Sequence, residues 1–170
     1  ENGQFEEVID DNDVNVDSVT RLVFCTGKIY YELLERKEEV EARNVALVRI
    51  EQLHPFPKEK VEAIIAKYSS ALLTLWVQEE PENMGAWTYI NSKLKNHNIT
   101  PIARLASASP ATGLAKLHTL GQQEIINKVF KACHCERKLP YCNLDCVEGK
   151  SREEILKQHH YFGNSTRFSI

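Results

Sequence analysis

Polar side chains gather where a predicted buried strand over residues 72–77 ends. Gln78, Glu79 and Glu80 follow this strand directly. Polar groups at the carboxyl ends of strands line ligand clefts in α/β folds. Either glutamate could act as an acid or base if burial raised its pKa, whereas an ion-pair and capping network is the structural alternative. An independent enzyme that uses Glu79 or Glu80 as a base is therefore one hypothesis.

A second candidate site is the turn formed by Thr26, Gly27 and Lys28, between a predicted strand over residues 22–25 and a predicted helix. Free amides at a helix start, together with a lysine ammonium group, can hold a phosphate. Arg49 follows the next predicted strand and adds a cation at the same edge of the sheet. The alternative is an ordinary turn with an exposed lysine.

Gly85 and Ala86 restart the chain after Pro81 interrupts it. A glycine here would allow the backbone to approach a ligand closely. The chain carries no G-x-G-x-x-G dinucleotide fingerprint, no P-loop and no G-x-S-x-G nucleophile elbow. His54 and His118 are more typical of packing or capping residues than of catalysts. Cys25 lies inside an apolar strand, where a thiol is usually inert.

Four further cysteines lie late in the chain, at Cys133, Cys135, Cys142 and Cys146. Their C-x-C-x6-C-x3-C spacing lacks the C-x2-C pair of common structural zinc sites. A metal site, a disulfide in an oxidising environment and ordinary thiols all remain open for this cluster. The Asn98 and Asn164 glycosylation patterns are interpreted as chance.

The elements that would position these residues alternate between strands and helices. The predicted strands are 22–25, 45–48, 72–77 and 101–105, and the predicted helices are 28–40, 58–68, 86–95 and a last one ending near 132. Such alternation predicts a three-layer α/β/α domain with a mostly parallel sheet of four to five strands over residues 21–132. Residues 1–20 read as an acidic linker or arm, and residues 133–170 as a cysteine-containing C-terminal extension of unknown role.

The bulk composition favours a folded protein. The chain has 170 residues, 42% of them hydrophobic and 26% charged, with a net charge of −3. Scattered Lys and Arg argue against nucleic acid or an anionic membrane as a partner. We expect no transmembrane helix and no secretory signal, because no apolar run has the required length. The chain begins at Glu1, so we expect a fragment or a processed product.

Five stretches together carry a resemblance to a known family. They are Phe5-Glu-Glu-Val-Ile-Asp-Asp11, Cys25-Thr-Gly-Lys-Ile-Tyr-Tyr-Glu-Leu33, Val48-Arg-Ile-Glu-Gln-Leu-His-Pro-Phe-Pro57, Trp76-Val-Gln-Glu-Glu-Pro81 with Gly85-Ala-Trp87, and Ala106-Ser-Ala-Ser-Pro-Ala-Thr-Gly113 followed by Lys116 and His118. In order and spacing, the chain resembles the C-terminal domain of the first, decarboxylating component of the 2-oxoglutarate dehydrogenase complex. The part beyond residue 132 departs from the family pattern.

The resemblance implies a transketolase C-terminal fold and a parent enzyme that uses thiamine diphosphate and Mg. It implies that other domains hold this cofactor, so this chain alone would be a non-catalytic structural and regulatory domain. The implied partners are the remaining domains of the parent, its homodimer and the lipoyl-bearing succinyltransferase component. The implied compartment is a bacterial cytoplasm or a mitochondrial matrix.

The resemblance also implies an effector site for acetyl-CoA or AMP in some members of the family. Carried over by motif, its candidate residues are Thr26, Gly27, Lys28, Gln78, Gly85 and Ala86, with Arg49 as a secondary candidate. Two alternatives stay open: the same domain of a 2-oxoadipate dehydrogenase, and a stand-alone nucleotide-binding regulatory module. A domain taken from a larger protein should expose an apolar patch where its neighbours pack.

Overall fold

The computed structural model describes residues 3–131, which form one sheet with helices on both faces. The strands are β1 (Val8–Ile9), β2 (Arg21–Cys25), β3 (Val45–Ile50), β4 (Leu73–Pro81) and β5 (Ile99–Arg104). The helices are α1 (Ile29–Glu39), α2 (Lys58–Lys67), α3 (Trp87–Lys93) and α4 (Ala115–Phe130), and a 3-10 turn covers Val16–Ser18.

The strand order is β1-β3-β2-β4-β5. β2 pairs in parallel with β3 and β4, and β4 pairs in parallel with β5, while β1 runs antiparallel to β3. The predicted three-layer α/β/α fold with a mostly parallel sheet is confirmed. All five residues of β2 are buried, as expected for a central strand covered on both sides.

Alternate residues of the central strands pack into two separate hydrophobic cores, one on each face of the sheet. On one face Val23 and Val77 pack with α1 and α4, which contribute Leu33 and Val129 among others. On the other face the buried residues of the same strands pack with α2 and α3, and Trp76 is fully buried there. The two-residue period of a strand therefore decides which helix layer each side chain meets.

Part of the predicted N-terminal arm belongs to the sheet. Val8 lies opposite Ile50 in the antiparallel β1–β3 pair, and Val19 is 1% exposed. The expectation of an exposed arm over residues 1–20 does not hold for these positions. Asp10 and Asp11, which follow β1 directly, form ion pairs with Lys67 and Lys37, so acidity at these two positions does not mark a solvated segment.

Strand β4 is also longer than predicted. It continues through Pro81, which pairs with Arg104 of β5, and its register shifts between Val77 and Pro81. Gln78, Glu79 and Glu80 therefore belong to the strand rather than to a loop after it. Proline is compatible with a strand next to such an irregularity because the disturbed ladder does not need its missing N–H group.

Arg21 fixes the end of α4. Its guanidinium donates through Nη1 to the Val129 carbonyl and through Nη2 to the Lys131 carbonyl at 2.9 Å, and the side chain is buried. A cation at a helix C-terminus pairs with carbonyls that have no partner within the helix. α4 ends at Phe130, and its predicted end near residue 132 lies outside the described residues.

Candidate functional site

The Gln78 side chain organises the turn between β4 and α3. It is 2% exposed, and its Oε1 accepts hydrogen bonds from Trp76 Nε1 and from the Trp87 backbone N–H, both at 2.9 Å. Its Nε2 donates to the Pro81 carbonyl at 3.0 Å and to the Met84 carbonyl at 2.8 Å. Both halves of the amide are satisfied by the protein, so Gln78 acts here as a scaffold for the turn.

Gly85 is required by this scaffold. Its φ is +65°, and an added Cβ would lie 3.0 Å from both Gln78 Nε2 and Glu80 Oε2. The sequence predicted a close backbone approach at this glycine, and the structure shows that the neighbouring groups are these two side chains. A residue with a Cβ would meet both the strained backbone conformation and the crowding.

An open groove of about 440 Å³ lies beside this turn at the carboxyl ends of β2 and β4. Its lining residues are Thr26, Leu53, His54, Gln78, Glu80, Gly85, Ala86 and Tyr89. Four of these eight, Thr26, Gln78, Gly85 and Ala86, are among the effector-site residues proposed from the sequence. Among residues 3–131, the lining contains neither Lys nor Arg, and its only carboxylate is that of Glu80.

Sequence reasoning missed Leu53 and Tyr89 of the groove. Tyr89 lies three residues after Ala86, within the first turn of α3, and its ring packs edge-to-face on Phe56 at 6.2 Å between centroids. This helical spacing was a readable signal for Tyr89. For Leu53 the sequence offered no comparable signal, since the residue lies in the irregular segment after β3. The two side chains make the groove mainly apolar, with an aromatic wall.

Lys28 lies in a separate polar cluster on the α1 and α4 face of the sheet. Its Nζ is 2.5 Å from Glu79 Oε1 and 3.4 Å from Glu32 Oε1. The hydrogen bond to Glu79 is the main cause that raises the pKa of Lys28. Gln122 Nε2 donates to both carboxylates, at 2.9 Å to Glu79 and 3.0 Å to Glu32. Of the alternatives for Glu79, the ion-pair network is the one observed.

The cluster extends to α4 through Arg104. Its Nη2 donates to Gln122 Oε1 at 3.3 Å and lies 2.9 Å from His118 Nδ1. His118 is thereby placed as a hydrogen-bonding partner at the surface of α4, in agreement with the interpretation of this histidine as a packing or capping residue. This polar cluster links the carboxyl ends of β4 and β5 to the helices α1 and α4.

Arg49 is enclosed by aromatic and acidic partners. Its Cζ lies 4.7 Å from the Tyr30 ring centroid and 5.5 Å from that of Tyr31, whose hydroxyl accepts from Nη1 at 3.1 Å. Its Nε is 2.7 Å from Glu51 Oε1. Arg49 is two residues from Leu47, which packs in the core on the α1 face, so Arg49 lies on the same face of the sheet as Lys28 and away from the groove. The predicted site residues are thus divided between the two faces of the sheet.

Cys25, the cysteine of strand β2, has an unreactive thiol. Burial raises the pKa of the Cys25 thiol to about 12, and its Sγ lies 3.9 Å from the Val48 carbonyl oxygen. Nucleophilic attack and metal binding by cysteine need the thiolate, which is scarce at such a pKa. Cys25 is therefore an apolar core residue.

Within residues 3–131, no group of three or more His, Cys, Asp or Glu side chains is arranged to hold a metal ion. The predicted metal candidates Cys133, Cys135, Cys142 and Cys146 lie outside the described residues. In the same part of the chain, no helix has both the length and the apolar character needed to cross a membrane.

A family model described as 2-oxoglutarate dehydrogenase C-terminal matches residues 1–130. An oxoglutarate dehydrogenase of Buchnera aphidicola is 42% identical over 132 residues, which is 74% of this chain and 14% of the relative. The 2-oxoglutarate dehydrogenase E1 component of Cupriavidus necator is 38% identical over 135 residues, covering 75% of this chain and 14% of the relative. A 2-oxoadipate dehydrogenase complex component E1 of Danio rerio is 39% identical over 131 residues, covering 74% and 14%.

Among solved structures, a chain titled "Split gene transketolase, inactive beta4 tetramer" superposes with a TM-score of 0.50 at 13% identity. The match covers 74% of this chain and 43% of that one. At this identity the likeness speaks to the fold alone. It supports the α/β fold described above.

Proposed function

The chain belongs to the 2-oxoglutarate dehydrogenase C-terminal family, and from this premise we propose that it is the C-terminal α/β domain of a thiamine-diphosphate-dependent 2-oxoglutarate dehydrogenase. The match over residues 1–130 carries this proposal. The chain spans 14% of the length of the curated relatives described above. The activity therefore belongs to the longer parent: oxidative decarboxylation of 2-oxoglutarate and transfer of the succinyl group to lipoamide.

A second substrate has specific support. The zebrafish relative, named for 2-oxoadipate, is 39% identical to this chain, close to the 38% and 42% of the two 2-oxoglutarate enzymes. These identities do not distinguish the two 2-oxo acids, and we propose that substrate choice belongs to the other domains. Thiamine diphosphate and Mg would be held there too, so the fragment itself would be non-catalytic.

Exposed leucines support a packing role for the domain. Leu105, Leu114, Leu117 and Leu120 are 84%, 64%, 53% and 53% exposed, and Leu105 and Leu117 line the same cavity of about 260 Å³. Clustered exposed apolar side chains are typical of interaction surfaces in soluble proteins. We infer that it faces the remaining domains of the parent or the partner subunit of a homodimer. The lipoyl-bearing succinyltransferase component would be a further partner of the assembled enzyme.

A paired aspartate substitution tests the packing role. In the parent enzyme, Leu117→Asp with Leu120→Asp should lower the rate of 2-oxoglutarate decarboxylation by about tenfold or more, because two charges would be buried at the domain contact. The same pair should change the stability of the isolated 170-residue chain by less than about 0.5 kcal/mol, since both residues are exposed there.

The control for this experiment is Leu72→Asp, which alters an exposed leucine at the opposite end of the sheet. It should leave the decarboxylation rate of the parent unchanged. Full activity of the paired variant would remove the leucine surface from the proposed contact. The decarboxylation rates of the unaltered parent with 2-oxoglutarate and with 2-oxoadipate decide between the two substrates.

The effector site stays a proposal for the same edge of the sheet. The groove offers an apolar wall for an adenine ring, while the positive charge for a phosphate lies outside it, on Lys28. An acetyl-CoA or AMP molecule would have to reach across the strand ends to use both. Its phosphate would compete with Glu79 and Glu32 for the Lys28 ammonium group.

Calorimetric titration of the 170-residue chain with acetyl-CoA and AMP tests this site. Lys28→Ala should weaken binding by about tenfold through the loss of a charge-assisted hydrogen bond. Glu79→Gln should tighten it, because the competing carboxylate charge is removed. Lys95→Ala, at an exposed lysine near the end of α3, is the matched control. An affinity that neither Lys28→Ala nor Glu79→Gln changes would show that Lys28 is not part of the effector site. If neither ligand binds, the domain has only a structural role.

A further inference from the structure

The first part of helix α4 is exposed to solvent. Residues 115–120 are all exposed, whereas the later part of the helix buries Ile125 and Val129 in the core. A short helical segment has little stability of its own in water, so packing against a partner would stabilise it. Its apolar side chains belong to the leucine surface, which we define as Leu105, Leu114, Leu117 and Leu120.

The sequence around this surface contains no carboxylate. Residues 83–123 include neither Asp nor Glu, although the whole chain has 24 of them and a net charge of −3. The same stretch carries four cations, at Lys93, Lys95, Arg104 and Lys116. This stretch is therefore basic, although the chain as a whole is acidic.

Lys116 lies beside the leucine surface, next to Leu117 and one helical turn from Leu120, and it is exposed. Other lysines of the domain are engaged in ion pairs: Lys28, Lys37, Lys58, Lys60, Lys67 and Lys128. Within residues 3–131, Lys116 has no such partner. The positive charge of Lys116 is therefore left for a carboxylate that the described part of the chain does not supply.

Arg104 adds a second positive charge at this place. It lines the cavity of about 260 Å³ together with two residues of the leucine surface. Its Nη2 donates to Gln122 Oε1 and to His118 Nδ1, which must be unprotonated because arginine has no acceptor. Among residues 3–131, the only carboxylate of the cavity lining is that of Glu124, which is paired with Lys128 at 3.1 Å.

An apolar centre bordered by charged groups is the usual arrangement of a protein–protein interface. All four leucines of the surface are more than half exposed, and a polyanion such as nucleic acid would leave them uncovered. The charges at the border favour a partner of opposite sign, because complementary charges fix the orientation of two docked surfaces. The surface therefore fits a protein partner that combines apolar side chains with carboxylates.

We propose that the leucine surface docks on an apolar patch of the parent's remaining domains that is bordered by carboxylates, and that Lys116 pairs with one of them. This inference rests on the proposed function, because the longer parent supplies the partner. The chain spans 14% of the length of the curated relatives, so most of the parent lies outside it. Burial of the leucines drives the contact, while Arg104 and Lys116 orient it.

Carbodiimide coupling of the assembled parent tests the ion pair, because this reagent joins a lysine amine directly to a neighbouring carboxylate. Mass spectrometry of the digested parent should find Lys116 joined to an Asp or Glu outside residues 1–170. Lys67 and Asp10, whose Nζ and Oδ2 lie 2.5 Å apart, are the positive control for the reagent. Lys95, an exposed lysine near the end of α3, is the matched control and should not couple to the same carboxylate.

Charge reversal gives a second measurement. Lys116→Glu should lower the decarboxylation rate of the parent about fivefold at low salt and less than about twofold at 0.5 M salt, because salt screens the repulsion between the two carboxylates. Lys116→Arg should restore the rate while the coupled product is lost, since a guanidinium is not coupled. Lys95→Glu should leave the rate unchanged at both salt concentrations.

Coupling of Lys116 to a carboxylate within residues 1–170 would overturn the proposal, because this chain or a second copy of it would then supply the acid. So would an uncoupled Lys116 in a sample in which Lys67 and Asp10 are joined. The proposed function fails by a different result, namely a parent that decarboxylates neither 2-oxo acid. The two failures can therefore be told apart.

Discussion

Asp11→Ala is expected to lower the free energy of unfolding by about 3 kcal/mol. The Asp11 carboxylate lies 2.6 Å from Lys37 Nζ, and the two side chains are only 8% and 12% exposed. The same Oδ2 atom accepts the Leu47 backbone N–H at 2.9 Å. Truncation would leave both a buried ammonium group and a strand amide without their acceptor. Urea unfolding followed by the fluorescence of Trp76 and Trp87 measures this loss.

Two further variants separate the ion pair from general damage. Asp13→Ala removes the same residue type from an exposed position and should cost less than about 0.5 kcal/mol. In a double-mutant cycle with Lys37→Met, the Asp11→Ala cost should shrink by about 2 kcal/mol, because no ammonium group is then stranded. Additive effects of the two substitutions would contradict the buried pair.

The N-terminal segment shows why its role could not be read from composition. Asp10 lies 2.5 Å from Lys67 Nζ and accepts the Tyr68 hydroxyl at 3.0 Å. Together with Asp11, it ties the segment after β1 to α1, α2 and β3. The sequence shows only a run of acidic residues, which is typical of a solvated linker. The partner lysines are far away in the chain, and only the packed fold brings them close.

The sheet itself was predictable because its signal is local. Apolar runs at 22–25, 45–48 and 72–77 mark the three central strands, and intervening amphipathic stretches mark the crossover helices. The ends of the strands were harder to predict from the sequence. β4 runs on to Pro81 because it pairs with β5, a non-local contact that the proline alone would argue against.

The candidate site was predictable in part for the same reason. Residues at the carboxyl ends of parallel strands do meet at one edge, and four of the eight groove residues were proposed from the sequence as effector-site residues. What the sequence did not resolve was the face. Alternation places Gln78 with Trp76 on the α2 and α3 side, whereas Glu79 points to the α1 and α4 side, where it binds Lys28. The adjacent residues Gln78 and Glu79 therefore contribute to two separate sites, the groove and the polar cluster around Lys28.

Gln78→Leu is expected to cost about 3 kcal/mol or more, although it removes no charge and keeps a similar volume. The substitution would leave Trp76 Nε1, the Trp87 amide and the Met84 carbonyl without their partner, whereas the Pro81 carbonyl would keep the Met84 N–H. Each buried polar group stranded in this way costs about 1–3 kcal/mol. Urea unfolding gives the total, and hydrogen exchange between Met84 and Tyr89 shows how much of the loss is confined to the turn.

Gln123→Leu is the matched control, because Gln123 is exposed on α4 and its substitution should change stability by less than about 0.5 kcal/mol. Gly85→Ala is the second probe, since its Cβ would press on the Gln78 amide. If the turn is built around Gln78, the two changes should be non-additive when combined.

Loss of effector binding in a Gln78 variant would then indicate a disordered turn. Lys28 and Glu79 are therefore the informative positions for ligand titration. A Gln78→Leu protein with unchanged stability and exchange would show that the amide is not structural and would return it to the ligand site.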